Sequence, residues 1–414
     1  MAKVLLMFIV AAATLVALAG CATPTSTPPT APPIAITNAA GVAADLDYMS
    51  GMMIRFDSNT IVDPVRFSNI VWQTDFRFHT VPYEDIWSGG LGKDDVPTLD
   101  DPMFEPVTAA DARLHPLEPV IALEFDNVAK AYPLRILTWH EIVNDSIASV
   151  PITVTFCPLC NSALAFIRRL DGTVYEFAVS GNLRNSDLIM WDRQTQSWWQ
   201  QFTGESIAGT NAGKRLTVLP AAIVSWEDFR EAHPDGQVLT EQTGHDLPYG
   251  TTPYAGYDRA DKQPRLYDGE DERLLPKERV AAVSIAGEHI AYPYSVLQQE
   301  RVVNDEINAQ PFAVFYQAGT LSVLDSSKIV DSRQVGTTAL FSRTHGERPL
   351  TFVFNAELSA FMDIETQSTW DIFGTAQSGP LQGQRLTRLI HQDHFWFAWA
   401  AFHPDTTVYR GAGT

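Results

Sequence analysis

AYPLRILTWHEIVNDSIASVPITVTF, residues 131–156, returns as AYPYSVLQQERVVNDEINAQPFAVFY, residues 291–316. Ala131-Tyr132-Pro133 pairs with Ala291-Tyr292-Pro293, Leu137 with Leu297, and Val143-Asn144-Asp145 with Val303-Asn304-Asp305. Ile147 pairs with Ile307 and Pro151 with Pro311, all at one offset of 160. Thr195-Gln196-Ser197, Trp199 and Phe202 return as Thr366-Gln367-Ser368, Trp370 and Phe373 at offset 171. Arg215-Leu216-Thr217 and His233-Pro234-Asp235 return as Arg385-Leu386-Thr387 and His403-Pro404-Asp405 at offset 170. Collinear matches with small changes of offset are the trace of a duplication followed by loop insertions. The pattern predicts two lobes, 118–240 and 279–410. A connecting loop over 241–278 joins them, and residues 45–117 form a segment that packs on lobe one.

Each copy leans to strand. Val120–Phe125 is apolar and ends at an Asp-Asn turn, and Pro151–Phe156 is rich in β-branched residues. Ala163–Arg169 and Thr173–Val179 flank Asp171-Gly172, a strong hairpin signal. Leu188–Trp191 and Ser197–Phe202 read as a further strand pair. Helices are expected at Leu134–Val143 and at Trp226–His233, the latter with Ser225 as N-cap and Pro234 beyond its end. The fold class expected is mainly β or α+β: a duplicated, two-lobe body of mostly antiparallel strands with a few short helices.

The chain has 414 residues, with 29 Lys+Arg against 49 Asp+Glu and a net charge of −20. That acidity argues against nucleic acid as a partner, because phosphate binding needs cations to displace counterions. Three cysteines are too few for a disulfide-built scaffold. At the N-terminus, Lys3 precedes an apolar run, Val4–Ala19, broken only by Thr14. A spanning helix needs about 20 residues, so the run reads as the core of a signal peptide over 1–20. It ends in Leu18-Ala19-Gly20-Cys21, which looks like a bacterial lipobox. Cys21 is therefore expected to carry lipid and to anchor the protein to a bacterial membrane, outside the cytoplasm. Residues 21–44 begin with Pro, Thr and Ser without hydrophobic period and read as an extended tether.

Several long stretches carry a family resemblance: WHEIVND (139–145), VTFCPLCNSALAF (154–166), SGNLRNSDLIMWDRQTQSWWQQFTGE (180–205) and PYAGYD (253–258). KDDVPTLDDPMF (93–104) and RLLPKERV (273–280) belong with them. Together they resemble the prokaryotic family catalogued as domain of unknown function 3179, from about residue 55 to the C-terminus. The resemblance implies an extracytoplasmic setting and no established activity, so chemistry rests on the residues.

With Cys21 lipidated, Cys157 and Cys160 are the remaining thiols. A disulfide across so short a loop stabilises by only about 2 kcal/mol, little for a duplicated domain with a full core. A thiol–disulfide exchange pair and a metal site are the two other readings. The duplication supplies an internal control: offset 160 puts Gln317, Thr320 and Glu300 where copy one has Cys157, Cys160 and His140. The scaffold folds without them, so copy one is specialised and His140 is expected to join the thiols. Met190, whose counterpart at offset 171 is Phe361, is a candidate fourth ligand. Two thiolates with an imidazole and a thioether suit one copper or zinc ion. Glu141, replaced by Arg301, would orient His140 or face solvent.

Asp145 and Asp192 recur as Asp305 and Asp363, and read as turn or hydrogen-bonding residues. His391 and His394 read as a helix or loop surface. The first expectation is thus a lipid-anchored, extracytoplasmic copper or zinc protein for carriage, delivery or electron transfer, with a metalloprotein or redox partner. The second is a thiol–disulfide oxidoreductase. A cell-surface polymer-binding module, resting on Trp191, Trp198, Trp199 and Trp226, is the third. No Walker-type loop or Gly-x-Ser-x-Gly elbow is present.

Overall fold

The computed structural model describes residues 72–346 and 348–412 together with the strand Arg55–Phe56. The signal peptide, Cys21 and the tether lie outside the described residues. Among the described residues most regular structure is antiparallel strand, and the longest helices have seven residues. No described helix is long and apolar enough to cross a membrane.

The duplication is visible element by element. Strands Pro119–Phe125 and Val128–Pro133, helix Leu134–His140 and strands Ile142–Ile147 and Val150–Cys157 form copy one. Arg279–Ile285, Glu288–Pro293, Tyr294–Glu300, Val302–Ile307 and Gln310–Gln317 repeat them. Registers repeat too: Ala122 faces Ala131, and Ala282 faces Ala291. The Tyr132 hydroxyl donates to Asp145 at 2.8 Å and that of Tyr292 to Asp305 at 2.7 Å. Trp199 Nε1 donates to Asp192 at 2.8 Å and Trp370 Nε1 to Asp363 at 2.9 Å. Shared aspartates thus pin shared aromatic residues in both copies, as their recurrence suggested.

The copies interlock. Strand Ala221–Ser225 of copy one packs near Thr337–Ser342 of copy two, and His391–Phe395 of copy two packs near Ser162–Ile167 of copy one. Apolar clusters run through both: Phe156, Phe166 and Trp199 share one with Phe395, Trp396 and Trp399. The preceding segment joins copy one, where Phe104–Pro106 pairs with Gln237–Leu239 and Ile86–Ser88 pairs with Asn182–Arg184.

Two local expectations hold in detail. Asp171 and Gly172 are both left-handed, at φ 50° and 81°, between paired Arg169–Leu170 and Thr173–Val174, as a two-residue hairpin turn requires. Ser225 Oγ accepts the Asp228 N–H at 3.0 Å and caps helix Trp226–Ala232. The helix expected at Leu134–Val143 is corrected. It stops at His140, Glu141 turns left-handed at φ 57°, and Ile142 and Val143 pair with Thr155 and Val154. β-branched residues gain more from that sheet than from another helical turn. Arg301 makes the same turn in copy two, at φ 64°.

Candidate metal centre

Cys157 ends strand Val150–Cys157 and pairs with Ser162, so residues 158–161 form a tight connection. Asn161 closes it at φ 53°, a left-handed geometry that Asn tolerates better than most residues. Copy two clamps this turn. Phe395 N–H donates to the Cys160 carbonyl at 2.9 Å, and Arg279 Nη1 donates to Asn161 Oδ1 at 2.6 Å. Arg279 is itself held by buried Asp258, at 3.0 Å. Both cysteines are buried free thiols.

A third donor arrives from another hairpin. Strands Phe177–Arg184 and Asp187–Asp192 are joined by Asn185 and Ser186, both left-handed, so the second strand starts with its aspartate at the thiols. The ligand atoms of Cys157, Cys160 and Asp187 all lie within 4.8 Å of one another. Asp187 Oδ2 accepts Gln200 Nε2 at 2.6 Å and Phe202 N–H at 2.9 Å. Its Oδ1 is buried with no hydrogen bond of normal geometry. One oxygen is thus fixed by two donors, and the carboxylate's remaining neighbours are the two thiols.

Burial pushes the Asp187 carboxyl up to about 7, against the lowering effect of Gln200, the Phe202 N–H and the thiols. Burial raises both cysteine thiols as well, Cys160 the further. Glu141 stands beside them, pushed up to about 7 by burial and by the charge of Asp187, with the Tyr254 hydroxyl donating at 3.2 Å. The nearest cation is the Arg184 guanidinium, Asp187's cross-strand partner, whose charge acts on Asp187 from a distance and less than burial does. Buried anions without counter-charge are costly. Burial therefore favours a group that holds protons or a bound cation.

His140 is placed elsewhere. Its Nδ1 lies 2.6 Å from the Pro97 carbonyl and its Nε2 2.6 Å from the Tyr249 hydroxyl. Both ring nitrogens are engaged, and the imidazole does not join the thiol–carboxylate group. The left-handed turn at Glu141 explains the exchange: it sends His140 towards residues 97 and 249 and leaves Glu141 beside Cys157. Met190 is fully buried, paired with Val179 and Trp199. Alternation along the strand sends Asp187 and Met190 to opposite faces.

Asp187 was missed, although the sequence held its signal. Offset 171 puts Leu358 in its place, a turn residue 61% exposed. Cys157, Cys160, Asp187 and Glu141 thus become Gln317, Thr320, Leu358 and Arg301 together. Gln317 bonds to Asp228, Thr320 to Thr337, and Arg301 Nε to the Tyr316 carbonyl. Two readings of surface residues are corrected. His391 and His394 lie buried in strand His391–Phe395, with His394 stacked on Phe202 at 4.2 Å between ring centroids. Trp191, Trp198, Trp199 and Trp226 are buried, because their indoles fill the core, and they offer no stacking face.

The fold and this group define a duplicated, antiparallel β protein in which one copy buries two thiols and a carboxylate. The chain belongs to the family described as Protein of unknown function (DUF3179), which matches residues 93–406. No curated protein and no solved structure matches it.

Proposed function

We propose that this is a metal-binding protein that holds one ion through Cys157, Cys160 and Asp187. The observation that carries the reading is the convergence of three ligand atoms within 4.8 Å at a buried place where Asp187 Oδ1 accepts no hydrogen bond of normal geometry. Two thiolates favour a soft or borderline ion, and the carboxylate shifts the preference from copper towards Zn(II). An ion would add positive charge at the ligand atoms themselves, beyond the more distant Arg184. With the lipid anchor expected at Cys21, the setting is the extracytoplasmic face of a bacterial membrane, where such a protein serves in metal carriage, delivery or electron transfer with a metalloprotein or redox partner.

Thiol–disulfide exchange by the same pair is the second reading. The adjacency of Asp187 favours it, since a buried carboxylate can take the proton of a reacting thiol. Against it stand complete burial and raised thiol pKa values, both of which slow exchange. Elemental analysis of protein isolated from an extracytoplasmic compartment separates the two. The metal reading expects about one equivalent of zinc or copper. Metal-free protein whose thiols cycle with a redox buffer supports the exchange reading instead.

A further inference from the structure

We propose that an ion at Cys157, Cys160 and Asp187 keeps one coordination position for an exchangeable small ligand, and that the hydroxyls of Tyr257 and Ser186 receive that ligand. The inference rests on the metal reading and adds the kind of molecule the ion would meet.

Three protein ligands are the number found in zinc sites that take up water or substrate, whereas structural sites are closed by four. Among the described residues, the group of convergent His, Cys, Asp and Glu side chains has three members. His140, which would have closed it, is engaged at both nitrogens.

Two buried hydroxyls beside the group meet only each other and keep further hydrogen-bonding capacity. Ser186 is fully buried and precedes Asp187, its carbonyl lies 3.8 Å from Cys157 Sγ, and its Oγ has no hydrogen bond of normal geometry. The Tyr257 hydroxyl is buried, makes no hydrogen bond of normal geometry, and turns to Ser186 as its one hydroxyl neighbour, close enough to both thiols to feel their charge. The tyrosine is held from behind: its N–H donates to the Leu324 carbonyl at 3.0 Å, and its own carbonyl accepts Lys277 Nζ at 2.6 Å. The same ammonium sits 3.8 Å from the ring centroid. A fixed phenol and a serine hydroxyl at a thiolate site can both donate. They suit a small Lewis base with spare lone pairs, such as water, hydroxide or a compact anion.

Copy two has no counterpart to this arrangement. Tyr257 comes from the connecting segment, which occurs once, and offset 171 replaces Ser186 by Glu357 in a turn. Ser186 and the metal ligands are therefore present together in copy one and absent together from copy two, and Tyr257 reaches them from the connecting segment.

The test uses the full chain loaded with Co(II) under reducing conditions and titrated with sodium azide. Thiolate-to-cobalt charge-transfer absorption reports the ion at the cysteines, and the ligand-field bands report a change of coordination. The expected result is a saturable change in the ligand-field bands, with azide bound about tenfold more weakly in Tyr257→Phe or Ser186→Ala. Absence of charge-transfer absorption overturns the metal reading itself. Charge transfer without any response to azide leaves the metal reading standing and overturns the open position. A response of equal strength in both variants, each checked for native circular dichroism, removes Tyr257 and Ser186 from it.

Discussion

Replacing Asp187 by Asn separates a carboxylate kept for a cation from one kept for the fold. The amide preserves shape: its oxygen accepts the Gln200 and Phe202 donors, and its nitrogen takes the place of Oδ1 beside the thiols. In the metal-free protein the Asp187 carboxyl rises from 3.8 to about 7. The folded state therefore holds this proton more tightly than the unfolded state. The stability it contributes is complete below about pH 4 and is lost as pH rises through 7. A shift of about three units corresponds to about 4 kcal/mol at 1.36 kcal/mol per unit, an upper figure because water and relaxation soften buried charges. Asp187→Asn has no such loss. In urea titrations with a chelator present, its stability relative to wild type should rise by about 2–4 kcal/mol between pH 4 and pH 8. Added zinc should reverse the order at pH 8, since the ligand-intact protein gains RT ln(1 + [L]/Kd) and the variant gains less. A stability difference independent of pH, or a variant progressively weaker towards pH 8, would refute the reasoning.

Other outcomes follow from the same geometry. The double variant Cys157→Ser, Cys160→Ser should lose the ion yet keep the metal-free melting temperature within about 4 °C, or about 1 kcal/mol, because Gln317 and Thr320 fill these places in copy two. Failure to fold would make the cysteines structural. Metal affinity should climb steeply with pH, because binding displaces the protons of both burial-raised thiols and, below pH 7, that of Asp187. Competition with a chromophoric chelator should give a slope in log affinity of about three below pH 7 and about two above it. A slope near zero would exclude thiolate ligation. Cys21→Ala should release the protein from salt-washed membranes, since an acidic body leaves no second anchor. Retention in the pellet would contradict the lipidated cysteine.

Repetition made the fold legible in the sequence. Tyr132 and Tyr292, Asn144 and Asn304, and Trp199 and Trp370 pair by sequence alone, and they occupy equivalent hydrogen bonds. The interlocking of the copies was not legible, because strand-to-strand packing between distant segments leaves no local signature. The site was half legible. Cys157 and Cys160 stood out as residues that copy two does without. Asp187 required the same comparison carried into a second hairpin. His140 misled because its neighbour, through one left-handed residue, takes the place beside the thiols. Tyr254 and Tyr257 could not be placed, since a connecting segment with no counterpart offers no internal comparison.

X-ray absorption at the metal edge of zinc-loaded full-length protein reads directly which atoms surround the ion. The account predicts two sulfur scatterers at about 2.3 Å with oxygen or nitrogen scatterers at about 2.0–2.2 Å. Asp187→Asn should diminish the light-atom shell and leave both sulfurs. A first shell of nitrogen and oxygen alone, or one unchanged when Cys157 and Cys160 are replaced by serine, would contradict it.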